Sequence, residues 1–370
     1  MKKILLILLT IILLSGCTES ENSNTYTPHK QTTYLGVITD KYGDMVIPLN
    51  TDVFIITTND KTKDEMIKDF NDTVVNYHKL FDSHHDYENI NNIKTINDNY
   101  GKEAVKVDKE IIEILKSAIK ISNETDGYFN PTMGSISDVW KDLFNEAHIN
   151  SDPDPLEVKS AMACVLSNDE LSEYIVIDET NSTVKLKKLD RCSSRVEIDL
   201  GAYSKGYVLD KAYESLLKFE SGFMLSAGSS SIITYVPDNA IDLHFSIGIT
   251  NPNNTSDMLE ALQVDNKAIS SSGDYQQYFI NEEGVRRHHI LNPFTGYSEN
   301  TFRGITLIAD SNGGLLDALS TSIYSLKEEN VETLIQKMEA EYKLNIEKIL
   351  IQDDENGNLK LNNDESIVFK

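Results

Sequence analysis

One stretch constrains the fold more than any other: Glu197-Ile198-Asp199-Leu200-Gly201-Ala202-Tyr203-Ser204-Lys205-Gly206-Tyr207-Val208-Leu209-Asp210. Val196, Ile198 and Leu200 alternate with Glu197 and Asp199, which reads as the end of a half-buried strand. Gly201 interrupts the alternation. A helix is expected from Ser204 through Tyr207, Ala212, Leu216 and Leu217. Such a strand–turn–helix unit aims backbone N–H groups and a helix N-terminus at one point, which suits an anion such as a phosphate. Asp199 and Lys205 flank that point with opposite charges.

The rest of the chain supplies layers for this unit. Tyr34–Ile38, Val46–Ile47 and Val53–Ile56 read as strands, and Met66, Phe70, Val74 and Tyr77 recur at helical spacing over 62–80. Residues 81–100 are polar and rich in Asn, so mostly loop is expected. Asp108 is placed to cap a helix carrying Ile111, Ile112, Leu115, Ala118 and Ile119 and ending at Gly127. Thr125–Gly134 then reads as a shaped loop, since Gly127, Pro131 and Gly134 punctuate Tyr128-Phe129. The region from Trp140 to about residue 170 is poor in apolar pattern. Tyr174–Ile177 and Thr183–Leu186 read as a hairpin. Further strands are expected at Phe223–Ser226, Leu243–Ile249, Ala268–Ser271, Tyr278–Ile280, from Arg286, at Gly304–Ala309, Ile349–Gln352 and Ile367–Phe369, with helices at Gly313–Leu326 and 328–341. The alternation of strands and helices is irregular, so the fold class is α+β rather than a doubly wound sheet.

The first residues address the chain to a membrane. Lys2-Lys3 precede an apolar run from Ile4 to Leu14, shorter than the about 20 residues that span a bilayer. Leu14-Ser15-Gly16-Cys17 follows as a lipobox, with small residues before a cysteine whose thiol takes diacylglycerol. Residues 1–16 therefore read as a lipoprotein signal peptide. Residues 17–35, rich in Ser, Asn and Thr, read as a tether from lipidated Cys17, and 36–370 as the folded body. The body is expected on the extracytoplasmic side of the cell membrane, held by lipid alone. Its formal charge of −25 becomes −27 without Lys2 and Lys3. That excludes nucleic acid as a partner and requires a local cation beside any anionic ligand. Two further cysteines, Cys164 and Cys192, do not make a disulfide framework; two partly buried free thiols are expected, with a bridge as the alternative.

Two groupings carry chemistry. Asp317 and Thr321 lie four apart on the helix after Gly313-Gly314, so both oxygens share one face. A carboxylate and a hydroxyl are hard ligands of the kind Mg²⁺ accepts. The alternative is an internally satisfied pair, with Thr321 bonding the carbonyl of Asp317. His288-His289 sit between two arginines and an Asn-Pro turn. One imidazole can serve as a general base near neutral pH. Adjacent strand residues point to opposite faces, so only one of the two can face a given site. No P-loop, G-x-G-x-x-G or Cys/His metal cluster occurs, and the serines at 229–231 have no partners of a hydrolase.

Four blocks, in order, resemble one family, the ApbE-type flavin transferases (FAD:protein FMN transferases). Thr125-Asp126-Gly127-Tyr128-Phe129-Asn130-Pro131-Thr132 is similar to the family's T-D-G-a-F-D-p-T loop, and Ile198–Gly206 to its I-D-L-G-g-i-A-K-G core. Ser271-Ser272-Gly273-Asp274-Tyr275 with His289-Ile290-Leu291-Asn292-Pro293-Phe294-Thr295-Gly296 is similar to T-S-G-D-Y and H-I-i-D-P-x-T-G, and Leu316–Thr321 to a-D-A-l-a-T. The resemblance implies an ApbE-like fold, mixed sheets with packed helices in two closely associated lobes. It implies transfer of FMN from FAD onto a threonine hydroxyl of a partner flavoprotein, with Mg²⁺ held by Asp317, Thr321 and the carbonyl of Ala202. It further implies FAD contacts from Tyr128, Phe129, Asn130, Asp199, Lys205, Ser272 and Ile290, and His289 as the base. An FAD pyrophosphatase giving FMN and AMP, and a non-catalytic FAD-binding lipoprotein, remain as alternatives. The chain departs from the family pattern at Asn130 and Asn292, where aspartates are usual. It also departs at Ala227-Gly228-Ser229-Ser230-Ser231 in place of A-G-G-D-I, and at Leu49-Asn50-Thr51 in place of M-G-T.

Overall fold

The computed structural model describes residues 38–59, 61–145, 150–240 and 242–369; the signal peptide, the tether and Cys17 lie outside them. The strongest apolar runs of the sequence form one antiparallel sheet of seven strands. Its order is Leu359–Asn363, Glu347–Asp353, Gly304–Ala309, Ala268–Gly273, Ser231–Tyr235, Phe223–Ala227 and Val53–Thr57. Gly304–Ala309 and Phe223–Ala227 are buried at every position, because both faces of the sheet are covered. Continuous apolar runs, not alternation, are what such strands require.

On one face the helices Ser204–Leu216 and Gly313–Tyr324 pack against Leu225, Ile233, Ile305 and Leu307 within the main core. On the other face Ile56, Met224, Ile269 and Ile308 meet Phe245, Ile249 and Leu262, supplied by the hairpin Ser246–Asn251 and Asn254–Gln263 and the chain beside it. A third, smaller core gathers around Trp140. Its ring stacks on Phe144 at 5.9 Å, and its indole N–H donates to the Gly296 carbonyl at 2.8 Å. The α+β expectation holds.

Several local expectations are corrected. Residues 196–200 bury Val196, Ile198 and Leu200 as predicted, but Glu197 is buried too and the segment forms no ladder strand, only an isolated bridge from Glu197 to Met133. Their backbone groups are satisfied by other means. The Asn97 side chain donates to the Ile198 carbonyl at 2.9 Å and accepts from its N–H at 2.8 Å, while Asp199 N–H donates to the Pro131 carbonyl at 2.9 Å. Residues 81–100 are mostly loop as expected, and the one short helix among them, Ile93–Asp98, carries a capping box of Asn92 and Thr95. Asp108 stands at the N-cap of Lys109–Glu124, yet its side chain makes no cap bond. The apolar-poor region is helical, with Gly134–Asn145, Pro155–Met162 and Asn168–Tyr174 amphipathic and short. The chain closes with the strand Leu359–Asn363, not 367–369, of which Phe369 makes only a bridge to Leu262. Cys164 and Cys192 are bonded, not free, because the turn after Pro155–Met162 and the loop after Thr183–Leu186 bring their Cα atoms to 4.6 Å.

Candidate active site

The two central helices cross where neither has a side chain. A Cβ at Gly206 would stand 2.2 Å from the Gly313 carbonyl oxygen, so only glycine permits this approach. The contact sets the start of Ser204–Leu216 against the first turn of Gly313–Tyr324. From there Asp317 accepts the N–H of Gly206 on Oδ2 at 2.6 Å. Sequence positions 111 residues apart thus meet, as the metal reading requires.

A cleft of about 440 Å³ opens beside this crossing. It is lined by Tyr128, Phe129, Asn130, Asp199, Ala202 and Lys205 on one side, and by Ser272, His289, Ile290 and Thr321 on the other. Every residue implied by the resemblance lies on its wall except Asp317, which sits just behind it, 5% exposed.

Asp317 is held in one orientation. The Ser231 hydroxyl donates to both of its oxygens, at 2.8 and 3.0 Å, and Ser270 donates to Oδ1 at 2.7 Å. With Gly206 N–H, three donors make four contacts, two on each carboxylate oxygen, so an ion here would displace part of the shared Ser231 contact. Desolvation pushes the carboxyl above its usual range, with the Lys205 ammonium and these donors opposing. An adjacent cation would relieve that cost, and the oxygen set fits Mg²⁺. Among the described residues no group of three His, Cys, Asp or Glu could hold a metal. An ion here would therefore draw on the Thr321 hydroxyl, the Ala202 carbonyl and oxygens of its ligand. The alternative in which Thr321 bonds the carbonyl of Asp317 is not realised; Ser320 donates there instead, at 3.1 Å.

The anion cradle is less open than the sequence implies. The N–H groups of Gly201, Ser204 and Gly206 are already taken by Asp199, the Leu200 carbonyl and Asp317. Lys205 compensates: its ammonium donates to the Gly201 carbonyl at 3.1 Å, and among the described residues it enters no ion pair.

The two histidines divide as the strand geometry demands. His288 is fully buried, its Nε2 against the Glu299 carbonyl at 2.7 Å and its Nδ1 accepting the Ile290 N–H at 3.3 Å, a neutral tautomer fixed by both partners. His289 is exposed and lines the cleft. Its pKa is lowered, first by desolvation between the cleft walls and second by Lys205, with the Gln277 backbone opposing. The ring is still reached by solvent, so the shift reflects a narrow crevice rather than a sealed core.

The aromatic loop is shaped by its own polar groups. Thr125 Oγ1 donates to the Ile121 carbonyl and accepts from Phe129 N–H, while Asp126 and Gly127 take left-handed φ of 52° and 86°. Phe129 is 2% exposed and packs on Tyr203; Tyr128 stands edge-on to Phe294 at 5.0 Å. The departures from the family pattern have reasons here. Asn130 donates from Nδ2 to the Leu166 carbonyl at 2.8 Å, which an aspartate could not do, and Asn292 donates to the Glu299 carboxylate at 2.9 Å. Asn50 takes a φ of 54°, which glycine adopts freely and asparagine tolerates.

Asp210, Ser231, Ser270 and Asn97 were not singled out from the sequence as site residues. Asp210 alone carried a signal, four residues after Gly206 in the same motif. It accepts the N–H groups of Gly313 and Gly314 at 2.8 and 2.9 Å, and desolvation pushes its carboxyl up to about 7.

The profile of the ApbE family matches residues 49–344. The FAD:protein FMN transferase of Klebsiella pneumoniae is 26% identical over 237 residues, 63% of this chain and 68% of that protein. The one of Haemophilus influenzae is 26% identical over 292 residues, 76% of this chain and 78% of that protein. The crystal structure of the ApbE protein of Thermotoga maritima superposes with a TM-score of 0.69 at 26% identity, covering 85% of this chain and 94% of that one. With the profile spanning the aromatic loop, the helix crossing and both cleft walls, the chain belongs to the ApbE family.

Proposed function

We propose that this protein is an FAD:protein FMN transferase that moves FMN from FAD onto a threonine hydroxyl of an extracytoplasmic flavoprotein and releases AMP. The reading rests on one observation: a single cleft gathers Lys205, His289 and Thr321 from three distant segments, with Asp317 fixed behind them. Relatives bearing that activity in their names support it.

The threonine oxygen attacks the FMN phosphorus, the bond from that phosphorus to the AMP phosphate breaks, and the hydroxyl proton passes to His289. A lowered pKa keeps His289 neutral, hence a competent base, at pH 7. Lys205 presents its ammonium to the phosphates, and Asp317, Thr321 and Ala202 are the residues that would hold Mg²⁺. When bound, Mg²⁺ neutralises charge on the pyrophosphate and at the leaving oxygen. It also offsets the field of a protein with net charge −25.

The lipobox at Leu14–Cys17 supports a lipid anchor on Cys17 and a position outside the cytoplasmic membrane. The Cys164–Cys192 bond supports an oxidising compartment. Among the described residues no helix is long and apolar enough to cross a membrane.

The full-length protein, incubated with FAD, Mg²⁺ and a candidate acceptor, should leave covalent flavin fluorescence on the acceptor after denaturing electrophoresis. AMP and free FMN released equally well without acceptor would replace this reading with a pyrophosphatase. No AMP under any condition would leave only flavin binding.

A further inference from the structure

The two central helices are tied by carboxylates running in opposite directions. Asp317, on Gly313–Tyr324, accepts the Gly206 N–H at the start of the other helix at 2.6 Å. Asp210, one turn after Gly206 on Ser204–Leu216, accepts the Gly313 and Gly314 N–H groups at the start of the first, at 2.8 and 2.9 Å. Those two amides belong to the first turn of Gly313–Tyr324, where no carbonyl of the helix can satisfy them. The Asn312 side chain takes the next one, Leu315 N–H, at 3.3 Å. Between the two ties lies the glycine contact at Gly206. A helix free to slide or turn on this contact would carry Asp317 and Thr321 away from Ala202, since these groups come from different helix ends.

We propose that Asp210 is a positioning residue for the divalent-cation site: it fixes the axial seat of Gly313–Tyr324 and so sets the spacing between Asp317 and Thr321 on one helix and Ala202 before the other. The inference rests on the metal reading above. Asp210 itself makes no ligand bond. Its effect is on the pre-organisation of the donors, which outer partners of metal ligands typically tune by about 10–100-fold in affinity. Substitution by Asn keeps the shape but leaves a single carbonyl oxygen for two amides. Substitution by Glu keeps the charge but adds a methylene, so the helix must shift to keep both bonds.

The test uses the full-length protein with FAD and compares wild type, D210N and D210E. The flavin fluorescence of the folded protein is followed at one temperature as Mg²⁺ is titrated, the half-saturating Mg²⁺ concentration is read from that curve, and thermal unfolding by circular dichroism gives Tm separately. D210N should raise that concentration about 10–100-fold and D210E by a smaller factor. Loss of stability alone would lower every Tm without moving the midpoint of the Mg²⁺ response. A D210N midpoint equal to wild type, whatever its metal-free Tm, overturns the proposal. If D210N does not fold, D210E decides by the same criterion. A wild-type protein with no Mg²⁺ response overturns the metal reading and the proposal with it; a wild-type response that D210N and D210E share unchanged overturns the proposal alone.

Discussion

Replacing Gly206 with alanine gives two physical rules opposite signs. Alanine is the better helix former, by up to about 1 kcal/mol. Gly206 lies in the first turn of Ser204–Leu216, so propensity alone predicts a small gain. Geometry predicts the reverse. The new Cβ would lie 2.2 Å from the Gly313 oxygen, 2.3 Å from its carbonyl carbon and 2.7 Å from Gly314 N. All three are backbone atoms of the other helix, so no side chain can swing aside. Restoring contacts of about 3.5 Å forces the helices apart by about 1 Å. Overpacking of this kind costs about 3 kcal/mol at its upper end, leaving a net loss of about 2 kcal/mol. For a folded body of residues 36–370, at about 2.1 cal/mol/K of unfolding entropy per residue, that lowers Tm by about 3 °C. The same displacement separates Asp317 from the turn at Ala202, and a 1 Å misplacement costs about 100-fold in rate. Unfolding by circular dichroism and covalent FMN incorporation into an acceptor measure both effects on one preparation. A G206A protein with raised Tm and unchanged transfer would refute the claim that backbone contact here sets the site.

Other outcomes follow from particular residues. The His289 pKa is lowered, so the base form persists below the ordinary imidazole range. The kcat/KM profile should therefore stay flat from mildly alkaline pH through 7 and fall only in acid. A midpoint at or above about 6.5 would contradict this, and H289A should cost about 10²–10⁴-fold. N130D restores the residue usual in the family but loses the donor to the Leu166 carbonyl; it should lower stability by about 1–3 kcal/mol in urea unfolding, and a neutral or stabilising result would contradict the assignment. Breaking Cys164–Cys192, which closes a separation of 28 residues, should cost about 3.5 kcal/mol, read as a lower Tm of C164S/C192S.

Much of this was written in the sequence, and what was not has physical causes. The fully buried strands, the helix Ser204–Leu216 and the helix of Asp317 and Thr321 announce themselves by long apolar runs or strict spacing. The segment 196–200 shows why pattern is not pairing: its apolar positions are buried as the alternation says, but Glu197 between them is buried as well, and its backbone partners include the Asn97 amide and the Pro131 carbonyl, remote in sequence. The short helices Gly134–Asn145 and Pro155–Met162 escape because their apolar positions serve a small separate core around Trp140, and Asn168–Tyr174 because it gives only Leu171 and Tyr174 to the main core. His289 could be separated from His288 only as a pair; the partners on the His288 ring decide which faces inward. The hydroxyls of Ser231 and Ser270 on Asp317 depend on strand register, with Ser270 opposite Ser231, which no local motif encodes.

The most direct test is a crystal of the protein grown with FAD and Mn²⁺ in place of Mg²⁺, with the ion located by anomalous scattering. The account predicts one peak bonded to an Asp317 oxygen, the Thr321 hydroxyl and the Ala202 carbonyl, touching the pyrophosphate. Flavin density in the cleft with the ion elsewhere, or with Asp317 still bonded only to Ser231, Ser270 and Gly206, would contradict it.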